Sequence, residues 1–213
     1  MKISVNAFLS LDGVMQGPGG VDEDRRGGFD RGGWLVPHLD EDFGAIVDQD
    51  WFSQADAVLL GRSTYEMMQP YWSAVTDPDD LVATVLNTFP KYLVSTSLTA
   101  ETATWENTTL ISDEVLERVR RLKDAPGREL QVHGSLQLAR TLHDAGLVDI
   151  YRLLIFPVVV GTGRRLFDGR SVPATFEVVE RKSTAAGVTA LTLHPKPFTT
   201  GNLAVPDATE VGV

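Results

Sequence analysis

Residues 55–66 read ADAVLLGRSTYE: a short, continuously apolar run, a glycine, and then a polar segment with helical spacing. An unbroken apolar run of this length is a strand covered on both faces, because a half-exposed strand would alternate. Gly61 ends it, and Arg62 to Tyr71 reads as a helix that stops near Pro70. A strand running directly into a helix is the repeating unit of a parallel sheet with helical cover.

The same unit recurs outward in both directions. Upstream, Lys2 to Phe8 alternates as a strand, and a glycine-rich loop follows from Ser10 to Pro37, with GPGG at 17–20 and GGFDRGG at 27–33. A loop of that length inside a compact domain is functional or mobile. Asp40 to Phe52 then reads as one helix with acidic residues in its first turn. Downstream, Asp79–Thr88 is a helix, Lys91–Ser95 a strand and Thr108–Ile111 a short strand. Ser112 caps a helix over Asp113–Lys123, and Glu129–His133 is a strand leading into a helix over Leu136–Ala145. Val148 to Val160 reads as one long apolar strand. Phe176–Lys182 and Val188–His194 read as a closing antiparallel pair, and the Pro/Gly-rich stretch 196–213 as a loose tail. The expectation is one α/β domain over residues 1–195, with a mainly parallel sheet, antiparallel C-terminal strands and helices on both faces.

Composition narrows the chemistry. The 213 residues contain 43% hydrophobic and 23% charged side chains, ordinary for a globular domain. The absence of cysteine removes thiolate nucleophiles and Cys-based metal sites, and it fits a cytoplasmic protein. The opening MKISVNAFLSLDG is too short and too polar for a signal peptide, and no apolar run reaches membrane-spanning length. A net charge of −10 disfavours nucleic acid and anionic lipid as partners, so an anionic ligand must be held by local donors. The histidines show no metal-ligand spacing, and no metal site is expected.

Three strand ends offer such donors: Gly61-Arg62-Ser63-Thr64, Ser95-Thr96, and His133-Gly134-Ser135-Leu136-Gln137. Ligands of open α/β sheets bind at the carboxyl ends of strands. A helix start presents unpaired amides and partial positive charge to phosphate, although each junction alone also reads as an ordinary helix start.

Taken together, S-L-D-G at 10–13, L-L-G-R-S-T-Y-E at 59–66, K-Y-L-V-S-T at 91–96, V-H-G-S at 132–135 and L-V-D-I-Y-R-L-L-I-F-P-V-V-V-G-T-G-R-R-L-F at 147–167 resemble the reductase branch of the dihydrofolate reductase-like superfamily. The resemblance is to the C-terminal reductase domain of the bifunctional riboflavin-biosynthesis deaminase-reductase, and more closely to stand-alone bacterial proteins of that kind. It implies a three-layer fold and NADPH along the carboxyl edge of the sheet. Gly61, Arg62, Ser63 and Thr64 would then form the junction at the dinucleotide phosphates, Ser95 and Thr96 lie near the adenosine ribose and its 2′-phosphate, and Gly134, Ser135, Leu136 and Gln137 cradle the pyrophosphate at the helix start. Gly13 with Asp12 would shape the loop over the nicotinamide. The acidic residue that binds pterin in dihydrofolate reductases would fall near Ala45 or Asp48, and neither fits the pattern cleanly.

Four side chains carry the expectation of chemistry, each beside a plainer reading. Asp12 touches the nicotinamide or substrate, or else bonds its own turn. His133 donates the proton that accompanies hydride transfer, or is a structural histidine. Trp34 stacks on a planar substrate, or anchors the loop on the core. Arg164, with Arg165 beside it, binds a substrate phosphate, or is a solvated hairpin. Trp51, Phe52, Tyr71 and Trp72 read as core aromatics. The expected activity is NADPH-dependent hydride transfer to a small pterin- or pyrimidine-like heterocycle. The alternative is a non-catalytic dinucleotide or small-molecule binder on the same fold. The resemblance also implies a homodimer, to whose interface the apolar strand 148–160 could contribute.

Overall fold

A computed structural model describes residues 1–203. Eight strands form one sheet: β1 (Lys2–Ser10), β2 (Ala55–Gly61), β3 (Lys91–Val94), β4 (Thr108–Ile111), β5 (Glu129–Val132), β6 (Ile150–Phe156), β7 (Ala174–Ser183) and β8 (Thr189–Pro197). Their order is β4-β3-β2-β5-β1-β6-β8-β7. The first six strands in this order are parallel, while β8 runs antiparallel to both β6 and β7. Five α-helices cover the sheet: α1 (Glu41–Ile46), α2 (Arg62–Trp72), α3 (Leu81–Thr88), α4 (Val115–Asp124) and α5 (Leu136–Asp144).

Two apolar clusters, one on each face, make the three layers. Val58, Leu60, Leu154 and Phe156 pack under α1, α2 and α3 with Trp51, Tyr65, Val85 and Leu86. Ile3, Val5, Leu59, Leu130 and Val132 pack under α4 and α5 with Val119, Leu138 and Leu142. Consecutive residues of β2 serve opposite clusters, which is why that strand reads as an unbroken apolar run.

Several expected boundaries shift for local reasons. The apolar run 148–160 is a strand only over Ile150–Phe156, because Pro157 cannot continue the ladder. It pairs on both sides, with β1 and β8, so it offers no edge to a second copy. Strand pairing with a second copy through β6 is therefore not open to this fold. Pro70 lies inside α2, which continues to Trp72. The helix expected over 40–52 is broken: α1 ends at Ile46, a π-helical turn covers Val47–Trp51, and a 3₁₀ turn covers Phe52–Gln54. Glu114, not Ser112, precedes α4, and it adopts a left-handed backbone. The expected tail begins later than residue 196, since β8 runs to Pro197, and its residues 204–213 lie outside the described residues.

Candidate functional site

A cavity of about 1050 Å³ opens on the face covered by α1 and α2. Its floor is the middle of β1 (Asn6, Ala7, Phe8) together with His133. One wall is the glycine-rich loop from Met15 to Asp24, and another is α1 with Val47, Asp48, Trp51 and Phe52. The far end is formed by the starts of α2 and α5.

That far end is assembled from two junctions packed against each other. The Gly61 amide donates to the Gly134 carbonyl at 3.0 Å. A Cβ at Gly61 would lie 2.3 Å from Ser135 Oγ, and one at Gly134 would lie 2.6 Å from Thr64 Oγ1. Only glycine lets the two turns approach this closely. The glycines thus serve the fit between the helix starts. Gly61 and Gly134 do not line the cavity, while Ser63, Thr64, Ser135, Leu136 and Gln137 do. The Gly134–Ser135 peptide is cis. Among the described residues, neither α2 nor α5 has a side-chain cap on its first-turn amides. Arg62 stands exposed beside them, 3.9 Å from Glu66. Arg62 does not line the cavity, and the junctions bring together amides and hydroxyls, a donor set that fits a diphosphate.

Ser95 and Thr96 are not part of the cavity wall. Ser95 is buried, and its Oγ accepts from the amides of Ser97 and Leu98 at 3.2 and 3.0 Å, closing the turn after β3. Thr96 is exposed.

Asp12 also lies outside the cavity, because its carboxylate is committed elsewhere. It accepts from Ser10 Oγ at 2.7 Å, from the amides of Val160 and Gly161 at 3.0 and 2.9 Å, and from Arg165 at 3.2 Å. Burial alone would raise its pKa. The bonds from Ser10, Val160 and Gly161 outweigh that and hold it at about 2. The placement of Asp12 against substrate is corrected: it fastens the turn after β1 to the segment after β6. Gly13 belongs to the same turn, its carbonyl accepting from the Leu166 amide at 3.1 Å.

Trp34 is likewise corrected. It is 8% exposed, donates from Nε1 to the Gln16 carbonyl at 2.9 Å and meets Phe156 edge-on. It holds the glycine-rich loop on the core and lines no part of the cavity. Gln16 extends this anchorage. Its Nε2 donates to the Asp24 and Arg26 carbonyls, and its Oε1 accepts from the Arg164 amide. Arg164 does reach the cavity mouth, with Arg26, and both guanidinium groups pair with Asp24.

His133 sits at the floor, stacked on Phe52 with ring centroids 4.7 Å apart. Its Nε2 lies 3.0 Å from Gln131 Oε1. The Gln131 amide nitrogen is occupied, donating to the Trp51 carbonyl at 2.5 Å and Glu129 Oε2 at 3.3 Å. Gln131 therefore turns its oxygen to the ring, so Nε2 carries the hydrogen and Nδ1 is an acceptor. Burial, with the positive charge of Arg152, pushes the His133 pKa down to about 3. The low proton affinity of the ring and the engagement of its N–H with Gln131 both count against the expectation that His133 donates the proton. Beneath it, Arg152 makes a buried two-pronged pair with Glu129 at 2.7 and 2.8 Å.

Three groups at the site are given no role by the sequence, although the pterin-binding carboxylate of dihydrofolate reductases would fall near Asp48. Asp48 lines the cavity, and its pKa is raised by burial and by the nearby Asp80 carboxylate. It lies on the π-helical turn, whose wider winding breaks the helical spacing by which a side chain would be assigned to this wall. Asn6 of β1 borders the cavity, while its two side-chain amide atoms are sealed from solvent and lack a hydrogen-bond partner among the described residues. Met67 and Met68 on α2 add apolar wall. Trp51, Phe52, Tyr71 and Trp72, expected as core, border the cavity as well.

The fold and this edge site define an α/β protein of the dihydrofolate reductase-like class. The chain belongs to the RibD C-terminal domain family, which it matches over residues 1–190. It is 27% identical over 195 residues to the uncharacterized protein YyaP of Bacillus subtilis (strain 168), covering 91% of this chain and 94% of the relative. Among solved structures, it is similar to a Shewanella sp. PV-4 protein assigned provisionally to riboflavin biosynthesis, with 22% identity, a TM-score of 0.66 and coverage of 92% and 99% of the two chains. It is also similar to the dihydrofolate reductase of Enterococcus faecalis, solved with NADP(H), with 11% identity, a TM-score of 0.53 and coverage of 91% and 96%.

Proposed function

We propose that this protein is an NADPH-dependent reductase of a small pterin- or pyrimidine-like heterocycle. The observation that carries the reading is the pair of uncapped helix starts, α2 and α5, locked together at one end of an apolar cavity. Ser63, Thr64, Ser135 and the first amides of α5 would hold the pyrophosphate, with Arg62 reaching in from the rim. Ser95 keeps its turn closed, so Thr96 is the group left for a 2′-phosphate. When bound, NADPH supplies the hydride. Trp51, Phe52, Met67 and Met68 exclude water and flatten the space for a planar ring. Asp48, whose proton affinity is raised by burial and by the Asp80 carboxylate, is the carboxyl that the cavity wall offers to a ring nitrogen. Arg164 at the mouth meets the polar end of the substrate.

Titration of NADPH by protein fluorescence tests the dinucleotide site. Saturable binding that weakens about tenfold in Arg62→Ala, a loss of about 1.4 kcal/mol, supports it. No binding by the unaltered chain overturns it. A second reading, binding without turnover, is favoured by one observation. The two side chains first expected to act, Asp12 and His133, are respectively outside the cavity and held neutral. NADPH binding with no oxidation across a panel of heterocycles would establish that reading instead.

A further inference from the structure

The cavity wall changes character along α2. Ser63, Met67 and Tyr71, each four residues from the next, form one row on that helix, and Thr64, Met68 and Trp72 form the adjoining row; all six line the cavity. At the rise of an α-helix each row spans about 12 Å. Each begins with a hydroxyl beside the junction with α5 and continues with two apolar side chains. The end that fits a diphosphate therefore passes directly into an apolar track.

That track stays open to water. Tyr71 is 64% exposed and Met67 43%. Val21 of the glycine-rich loop, and Val36 and Leu39 ahead of α1, are also exposed and line the same cavity. A single exposed apolar side chain needs no explanation, but here three separate segments bring five of them to one opening. A ligand that covers them gains the stabilisation that folding left unused.

The charges at this opening decide what such a ligand carries. Four carboxylates line the cavity, those of Asp22, Glu23, Asp24 and Asp48, against the guanidinium groups of Arg26 and Arg164. Both guanidinium groups pair with Asp24, each at 2.6 Å, and Asp22 pairs with Arg25. The Glu23 carboxylate accepts from the Gly19 and Gly20 amides, and neither it nor Asp48 has a cationic partner among the described residues. Burial raises the proton affinity of both, so this part of the cavity resists added negative charge. The phosphate first expected at Arg164 would compete with Asp24 for it.

We propose that the ligand of this site is a heterocycle bearing an uncharged apolar arm, and that Met67 and Tyr71, with Val21, Val36 and Leu39, seat that arm. An arm ending in phosphate or carboxylate is disfavoured. The inference rests on the reductase reading for the ring and names the class of its substituent.

The test uses the full chain and three uracils that differ in the group on N1: 1-benzyluracil, 1-methyluracil and uridine 5′-monophosphate. Affinities are read by calorimetry and ligand-observed NMR, with and without NADPH. The unaltered protein is expected to bind the benzyl compound about tenfold or more tightly than the methyl one, and the phosphate no more tightly than the methyl one. In the double variant Leu39→Ser/Tyr71→Ser the benzyl preference is expected to shrink to within about threefold, with little change in melting temperature because both side chains are exposed. Equal affinities for the benzyl and methyl compounds overturn the proposal. So does a preference for the phosphate, or a benzyl preference that survives in the double variant. Self-association that the double variant abolishes, without any benzyl preference, assigns the rim to a second copy of this chain instead. Should the double variant fail to fold, the three probes on the unaltered chain decide. Absence of benzyl binding overturns the proposal as well, and NADPH binding by the same sample then leaves the reductase reading standing. A benzyl preference without NADPH binding does the reverse.

Discussion

Asp12 and His133 are polar residues near one sheet edge, and the structure gives them different work. Asp12 spends its carboxylate on the amides of Val160 and Gly161. Asp12→Ala leaves both amides without an acceptor and should cost about 1–3 kcal/mol in urea denaturation, with NADPH affinity changed less than twofold. Asp48 is the converse case, a carboxyl at the cavity wall with few partners. Asp48→Asn should leave NADPH binding within about twofold and lower the turnover of a reducible heterocycle by about 10²-fold, measured by nicotinamide absorbance. The sequence carried S-L-D-G as a recognisable turn, but the acceptors and donors that decide a carboxylate's role lie far along the chain. Val160 is 148 residues from Asp12.

At the scale of elements, two features position the site. The first is the contact between the starts of α2 and α5. Gly61→Ala would drive a Cβ into Ser135, whose backbone nitrogen lies only 3.0 Å from that point. The expected result is a loss of about 1–3 kcal/mol in stability together with weaker NADPH binding, as the two helix starts are forced apart. Denaturation and fluorescence titration on one variant read both effects. The second is the polar row beneath the floor. Glu129→Gln removes one partner of a buried two-pronged pair and leaves Arg152 uncompensated, so urea denaturation should show a loss of about 3–5 kcal/mol. Strands, helices and their junctions were legible because each is written in local periodicity and punctuation. The break between α1 and the π-helical turn was not, since 40–52 carries one continuous amphipathic pattern and the tertiary fit of Trp51 and Phe52 overrides it.

For the whole molecule, the buried titratable groups shape stability against pH. His133 is held neutral with a pKa of about 3, below its ordinary 6.5. Its contribution is complete above about pH 6.5 and is lost as the pH falls toward 3, with a slope of at most about 1.4 kcal/mol per pH unit. Asp12, held at about 2 against an ordinary 3.8, contributes fully above pH 3.8 and loses its share as the pH falls toward 2. Thermal unfolding across this range should therefore decline in two overlapping steps. His133→Asn should remove the upper step and Asp12→Ala the lower.

By itself the sequence determined the α/β class, the parallel body with an antiparallel C-terminal end, and the two strand-to-helix junctions where an anion fits, because these are functions of spacing along the chain. The tertiary structure decided which polar groups face the cavity. Insertion of β5 between β2 and β1 sets His133 beside Asn6 and over Gln131 and Glu129. That neighbourhood lowers the proton affinity of a histidine read as a proton donor, and it seals the amide of an asparagine in an ordinary strand without a partner among the described residues. Hydrogen bonding and burial act through space between segments distant in sequence, so only the completed sheet assigns them.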